Sequence, residues 1–374
     1  MVQENIKRPT KMRVLELFAG YGSQAFALEN LGIDFTSDIS EIDTYAIKAY
    51  NQLHGETHNW GDITKIDETK LPYYDLITYS SPCQDFSVAG LGKGGDEGSG
   101  TRSSLLWECE RIIRAVKPKY LLMENVKNLV GKKHVHNFNR WLKTLEMMGY
   151  WNFWQVLNAK DYGVPQNRER VFVVSILGGG HYLFPNKIKL EKRLKDILEP
   201  VVDEKYYLSD QMLQYILNKH QKGYNFRVEV SNPDGIRETP IRASGDLAVT
   251  REPKVIEVSQ NAKHQQDLIQ HQEGICRAIP AGTHGSTPHL LKTVVDNYRI
   301  RKLTPRECWR LMGVKDEQYD KLHDISNTQL YKMAGNSIVV DVLMGIFRNM
   351  FLNDNNTKGQ LELSLKIAPF FERD

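Results

Sequence analysis

The opening of the chain narrows its fold more than any other stretch. Residues 12–18 form a short apolar run that reads as a buried strand, and Ala19-Gly20-Tyr21-Gly22-Ser23-Gln24 follows without a gap. Residues 25–31 then carry a helical pattern that Gly32 stops, at the place where helix ends favour glycine. Strand, tight glycine turn and helix together make the first unit of a Rossmann-like α/β fold. The glycines let backbone approach a ligand closely, with the N-terminus of a helix beside it. Gly20-x-Gly22-x-x-Ala25 also satisfies the loose dinucleotide fingerprint, so the turn alone is a weak signal and leaves a nicotinamide oxidoreductase open.

The next expected strand, residues 33–37, leads to Asp38 and Glu41. An acid at the end of a second strand is where such folds hold ribose hydroxyls; the alternative is a solvated surface acid. Residues 46–53 read as a helix, and Gly61-Asp62-Ile63 closes a third edge of the same pocket. Residues 74–79 form a second buried strand, and Ser80-Ser81-Pro82-Cys83-Gln84-Asp85-Phe86-Ser87 comes straight after it. That order puts a thiol at the carboxyl end of a sheet, where open α/β sheets bind ligands. Six glycines between Gly90 and Gly100 make the following loop suited to a lid. A cysteine between a rigid strand and a lid fits a nucleophile, against the plainer reading of a buried strand-end cysteine.

Residues 104–116 read as a helix ended by Pro118, and residues 120–123 as a strand with Glu124-Asn125-Val126 at its end. Thiol and carboxylate thus leave two strands on one edge of one sheet. A glutamate there is costly unless paired or protonated, which favours a working role. Residues 138–148 look like an amphipathic helix capped by Gly149. Two strands, 154–158 and 170–175, flank Gln166-Asn167-Arg168-Glu169-Arg170. If that segment is extended, Arg168 and Arg170 point to one side, to clamp a phosphate or a base or merely to pair with Glu169.

Near residues 184–185 the α/β alternation stops. Short extended runs between turn signals reach to about residue 325, as in a separate, irregular, β-rich domain, and they carry a loose internal echo of 234–255 in 273–290. Arg237, Arg242, Arg251, Lys254, Arg277 and His284 give it positive charge suited to a DNA groove, or to a solvated surface. The net charge of +3 demands no such partner, so any nucleic-acid surface has to be local. Thr304-Pro305-Arg306-Glu307 spells a capping box opening a helix that Gly313 stops, and residues 334–337 turn into an apolar helix over 338–343. Cys83, Cys109, Cys276 and Cys308 form no CxxC pair, which speaks against zinc, against any other metal site and against a disulfide framework. With no apolar leader in residues 1–11 and no run of membrane-spanning length, a cytoplasmic protein with no membrane partner is expected.

Taken in order, these motifs resemble the cytosine-C5 DNA methyltransferases over residues 12 to about 350. Phe18-Ala19-Gly20-Tyr21-Gly22 is similar to that family's first motif, and Pro82-Cys83-Gln84 to its nucleophile motif. Glu124-Asn125-Val126, Gln166 to Arg170, the helix of residues 303–313 and Gly335-Asn336-Ser337 are similar to later ones. Ser81 departs from the pattern, which more often has proline there. The resemblance implies a Rossmann-like catalytic domain with a mixed, mostly parallel sheet over residues 1–185. A target-recognition domain would cover 186–325, and 326–374 would return to the catalytic domain. It implies S-adenosylmethionine, leaving as S-adenosylhomocysteine, in a pocket of Phe18, Gly20, Gly22, Glu41, Ile42, Asp62 and Ile63 closed by Asn336 and Ser337. It further implies that Cys83 adds to C6 of a cytosine flipped out of duplex DNA, with Glu124 at N3 and Arg168 at O2. Gln84, Ser87 and Arg170 would meet DNA, and the loop of residues 84–100 would close over the base. A monomer of bacterial or phage modification type is expected, with room for a cognate restriction endonuclease. A tRNA cytosine methyltransferase is the near alternative, against which stand the long variable stretch and the lack of a Cys-Phe-Thr motif. A module that only binds DNA would not be expected to keep Pro82-Cys83.

Overall fold

The computed structural model describes residues 11–81, 105–207, 209, 270–271, 276–277, 293–296 and 299–352. By contacts the chain divides into two units, one of residues 1–157, 170–186 and 342–374, the other of 158–169 and 187–341.

The first unit is built on a six-stranded sheet. Its elements begin with β1 (Met12–Leu17), α1 (Ser23–Asn30), β2 (Phe35–Ser40), α2 (Thr44–His54) and β3 (Leu76–Tyr79). They continue with α3 (Leu106–Val116), β4 (Tyr120–Val126), α4 (Val135–Met147) and β5 (Tyr150–Asn158). After β6 (Gln166–Asn167) comes β7 (Glu169–Leu177), and the strand order is β2-β1-β3-β4-β7-β5. The pairs β1–β2, β1–β3 and β3–β4 are parallel, while β4–β7 is antiparallel. The sheet is therefore mixed and mostly parallel, as the resemblance implies.

Parallel strands covered by helices are apolar on both faces, and β1 and β3 follow that rule. Leu15, Leu17, Ile77, Tyr79, Leu121, Met123, Val171 and Val173 pack with Trp107, Ile112 and Ile113 of α3 and Trp141 and Leu145 of α4. By the two-residue period of a strand, Glu16 faces the opposite side, where Tyr50 of α2 meets it. Helices thus cover both faces. Each starts or stops for a local reason: the Asp43 carboxylate caps α2 by accepting from the Tyr45 and Ala46 N–H groups, and Gly32 at φ 68° follows α1.

Several expected boundaries move. β2 runs on to Ser40, so Asp38 lies inside the strand opposite Leu15 and accepts from the Tyr74 hydroxyl, leaving Glu41 as the first residue beyond it. β4 continues through Val126, because antiparallel β7 pairs with it over its whole length, and Glu124 sits opposite Phe172 within the ladder.

In the second unit β6 pairs with β9 (Cys276–Arg277). A small sheet joins β8 (Gln270–His271), β10 (Thr293–Asp296) and β11 (Arg299–Lys302). α5 (Pro305–Arg310) and α6 (Asn327–Asn336) follow. Gly335 and Asn336 are the last turn of α6, a correction to the expected turn, since the helix continues until Ser337 turns extended. α7 (Val340–Phe351) crosses into the first unit, where its Ile346 carbonyl accepts from the Tyr182 hydroxyl and Phe351 meets the Tyr120 ring edge-on. Much of residues 186–300, including the echoing runs, Arg237, Arg242, Arg251, Lys254 and His284, lies outside the described residues, as does the Arg277 side chain. Among the described residues no single helix is long and apolar enough to cross a membrane.

Candidate active site

The glycine turn after β1 is held from two directions. Phe18 has φ 58°, a left-handed conformation a non-glycine residue adopts only under constraint, and its N–H donates to the Ser40 carbonyl at 2.8 Å. Gly20 (φ 58°) donates its N–H to Glu41 Oε2 at 2.9 Å. Glu41 Oε1 accepts from the Ile42 and Asp43 N–H groups, both at 2.8 Å. Two acceptor positions per oxygen leave Oε2 one open for a hydroxyl. A Cβ at Gly20 would meet nothing within 4 Å, so the turn has an open side. Ile42, 71% exposed, offers apolar surface there.

Gly61-Asp62-Ile63 reaches the same edge through a residue that sequence reasoning passed over. Asn59 accepts from the Glu41 and Gly61 N–H groups at 3.1 and 2.9 Å and donates back to the Glu41 carbonyl at 3.0 Å. Ser40 Oγ donates to the Gly61 carbonyl at 2.7 Å. The Asp62 carboxylate accepts from the Thr64 N–H and hydroxyl, and those bonds hold its pKa below the usual range. The Ile63 side chain is committed to the core.

The second cluster lies where β3 and β4 end. Tyr79 and Met123 are register partners, so the chain leading to Pro82-Cys83 leaves one strand as Glu124 follows on its neighbour. Cys83, Gln84, Ser87 and the glycine-rich loop lie outside the described residues. The last described residue before them, Ser81, is buried, and its carbonyl and Oγ accept from Asn125 Nδ2 at 3.3 and 3.4 Å. Serine in place of proline gives Asn125 a second acceptor. The Glu124 carboxylate is 8% exposed, and its Oε1 lies 3.1 Å from Arg170 Nε.

The two arginines do not act as a pair. Arg170 goes to Glu124. Arg168, 4% exposed in the second unit, donates from Nη2 to the Gly335 and Ser337 carbonyls at 3.0 and 2.8 Å. The strand is interrupted at Arg168, between β6 and β7, which undoes the strict alternation that one extended strand would give. Gln166, fully buried, donates to the Leu311 carbonyl at 2.7 Å. Ser337 Oγ donates to the Ala334 carbonyl at 3.0 Å, and Asn336 is exposed.

Cys109 and Cys308 are fully buried, and burial pushes the Cys109 thiol well up, so neither suits a nucleophile.

The arrangement offers backbone and a carboxylate for a nucleoside at the glycine turn, and a buried carboxylate–arginine pair between β4 and β7. Comparison with known proteins gives the family. The family model for C-5 cytosine-specific DNA methylase matches residues 12–352. The type II methyltransferase M2.ScrFI of Lactococcus lactis subsp. cremoris is 37% identical, over 91% of this chain and 99% of that protein. The orphan methyltransferase M.SPBetaI of Bacillus phage SPbeta is 31% identical, over 91% and 98%. In fold, a methyltransferase structure from Entamoeba histolytica superposes with a TM-score of 0.64 at 18% identity, covering 91% of this chain and 98% of that one.

Proposed function

The chain belongs to the C-5 cytosine-specific DNA methylase family and is a DNA (cytosine-5-)-methyltransferase, and we propose that it works through a covalent adduct between Cys83 and a flipped cytosine. Use of S-adenosylmethionine comes with the family. The residues present fit that cofactor: a glycine turn open at Gly20, a Glu41 oxygen with room for a hydroxyl, and an exposed Ile42 for a flat base. Phe18, Gly20, Gly22, Glu41, Ile42, Asp62 and Ile63 would hold it, with Asn336 and Ser337. When bound it supplies an electrophilic methyl group on a sulfonium sulfur.

The observation that supports the reading is the tie between Asn125 and Ser81, which anchors the last described residue before Cys83 on the strand that carries Glu124. C5 of cytosine is a poor nucleophile. The Cys83 thiolate bonds to C6, and the electron pair of the C5–C6 double bond moves so that C5 becomes enamine-like. Glu124 hydrogen-bonds N3 and delivers the proton that neutralises the ring. Arg170 holds the Glu124 carboxylate in place. Arg168, anchored on the Gly335 and Ser337 carbonyls, is assigned to the base O2. After C5 is methylated, Glu124 takes back the N3 proton, and loss of the C5 proton to a solvent base restores the double bond and expels the thiolate. None of these atoms is reachable in a stacked duplex, so the base leaves the helix at a cost of about a few kcal/mol. Residues 84–100, with Gln84 and Ser87, would close over it, and residues 186–325 would read the flanking bases. The enzyme would act as a monomer, and a cognate endonuclease would cut what it leaves unmethylated.

The test is transfer of labelled methyl from S-adenosylmethionine to mixed-sequence duplex DNA, with base-resolution mapping of 5-methylcytosine. Methylation confined to one short context is expected, and Cys83→Ala should abolish it while S-adenosylhomocysteine still binds. Transfer to RNA alone, or turnover by Cys83→Ala, overturns the reading.

A further inference from the structure

The glycine turn has a second support that the reaction as described does not use. His54 is the last residue of α2, and its side chain is only 4% exposed. Its Nε2 lies 3.0 Å from the Tyr21 carbonyl, in the middle of the turn, and its Nδ1 lies 2.7 Å from Glu29 Oε1 on α1. Both neighbours are acceptors. A neutral imidazole has one N–H and satisfies only one of them; the doubly protonated ring satisfies both.

Packing leaves the ring no freedom. Phe26 of α1 meets it edge-on with centroids 4.4 Å apart, and the Tyr50 ring lies at 4.8 Å. Gly22 sits directly on its edge, so that a Cβ there would come within 2.6 Å of Nε2 and 2.7 Å of the Tyr50 ring. The titratable groups around the ring are Glu29 from α1, Tyr50 from α2 itself, and Glu16 from β1, which Tyr50 meets through its hydroxyl at 2.6 Å. Glu41 therefore holds the turn at Gly20, and His54 holds it one residue further on.

We propose that His54, clamped between Glu29 and the Tyr21 carbonyl, is a positioning residue for the cofactor. It sets the turn's backbone without touching the cofactor or the base. The inference rests on the reading of residues 18–22 as the cofactor's seat.

The experiment compares wild type, His54→Ala and His54→Gln for S-adenosylhomocysteine binding by calorimetry and for methyl-transfer kinetics. His54→Ala should weaken binding and raise KM for S-adenosylmethionine by about tenfold, with kcat at saturation within about twofold, since the adduct chemistry lies elsewhere. His54→Gln, which keeps one donor, should recover part of that loss and covers the case in which the alanine variant does not fold. Wild-type affinity in folded His54→Ala, or a fall in kcat with KM unchanged, overturns the proposal while leaving the cofactor site standing. Failure of the wild type itself to bind S-adenosylhomocysteine overturns both.

Discussion

Glu16 shows how a residue's surroundings can escape a sequence reading. It stands within an apolar run, and nothing in the sequence singles it out. In the fold it is fully buried and accepts from the Tyr50 hydroxyl, which also bonds Ser37 Oγ at 2.8 Å. Burial raises its pKa from 4.5 to about 7, and the Tyr50 bond only partly opposes that. The native state therefore holds this proton more tightly than the unfolded chain. The stabilisation is complete below about pH 4.5 and is lost as pH rises through about 7. Glu16→Gln should remove that loss and raise stability at pH 8 by roughly 2–3 kcal/mol relative to its effect at pH 4. Urea unfolding of both proteins at the two pH values checks it, and equal differences would refute it. Glu41 could be singled out from sequence because an acid just past the second strand of such a fold has a chemical reason to be there. Asn59 and His54 could not, because their roles come from bonds to backbone atoms that any sequence would supply.

Elements announced by short-range chemistry were the easiest to read. The capping box at Thr304 is present in both halves: Thr304 Oγ1 accepts from the Glu307 N–H, and Glu307 accepts from the Thr304 N–H at 2.7 Å. Its wider role was hidden. Glu307 also takes both Arg301 Nη groups at 2.9 and 2.8 Å and the Glu199 N–H at 2.7 Å, with Arg301 and Glu307 fully buried. Arg301 is six residues away across a strand and a turn, and Glu199 more than a hundred, so no local pattern encodes either contact. Leaving one member of a buried ion pair alone costs about 3–5 kcal/mol. Glu307→Gln should lower stability by that order, whereas Thr304→Ala, losing one cap bond, should cost about 1 kcal/mol. Equal midpoint shifts in denaturant for the two variants would argue against Glu307 as the hub. Strand ends were less legible, since β2 and β4 continue for as long as a neighbour offers pairing, and pairing is a long-range property.

At the scale of the molecule, chain order and contact order part. The first unit takes in residues 170–186 and 342–352 from far along the chain, and the second takes in 158–169. Periodicity and turn signals mark where elements lie, but they do not say which distant segments share a core. Leu343, Ile346 and Phe347 of α7 are fully buried, and Asn349 Nδ2 donates to the Leu183 carbonyl at 2.9 Å. A fragment ending at residue 186 should therefore lack a cooperative thermal transition, and fusing residues 342–352 to it through a flexible linker should restore one. A cooperative melt of the shorter fragment would refute this.

The late arrival of α7 has a consequence for synthesis. The polypeptide leaves the ribosome from its amino end, so the strand-end groups around Glu124 emerge long before the helix that completes their core. A message broken before codon 342 yields a chain whose first unit stays unfinished. The first unit is therefore complete only after residues 342–352 have been translated.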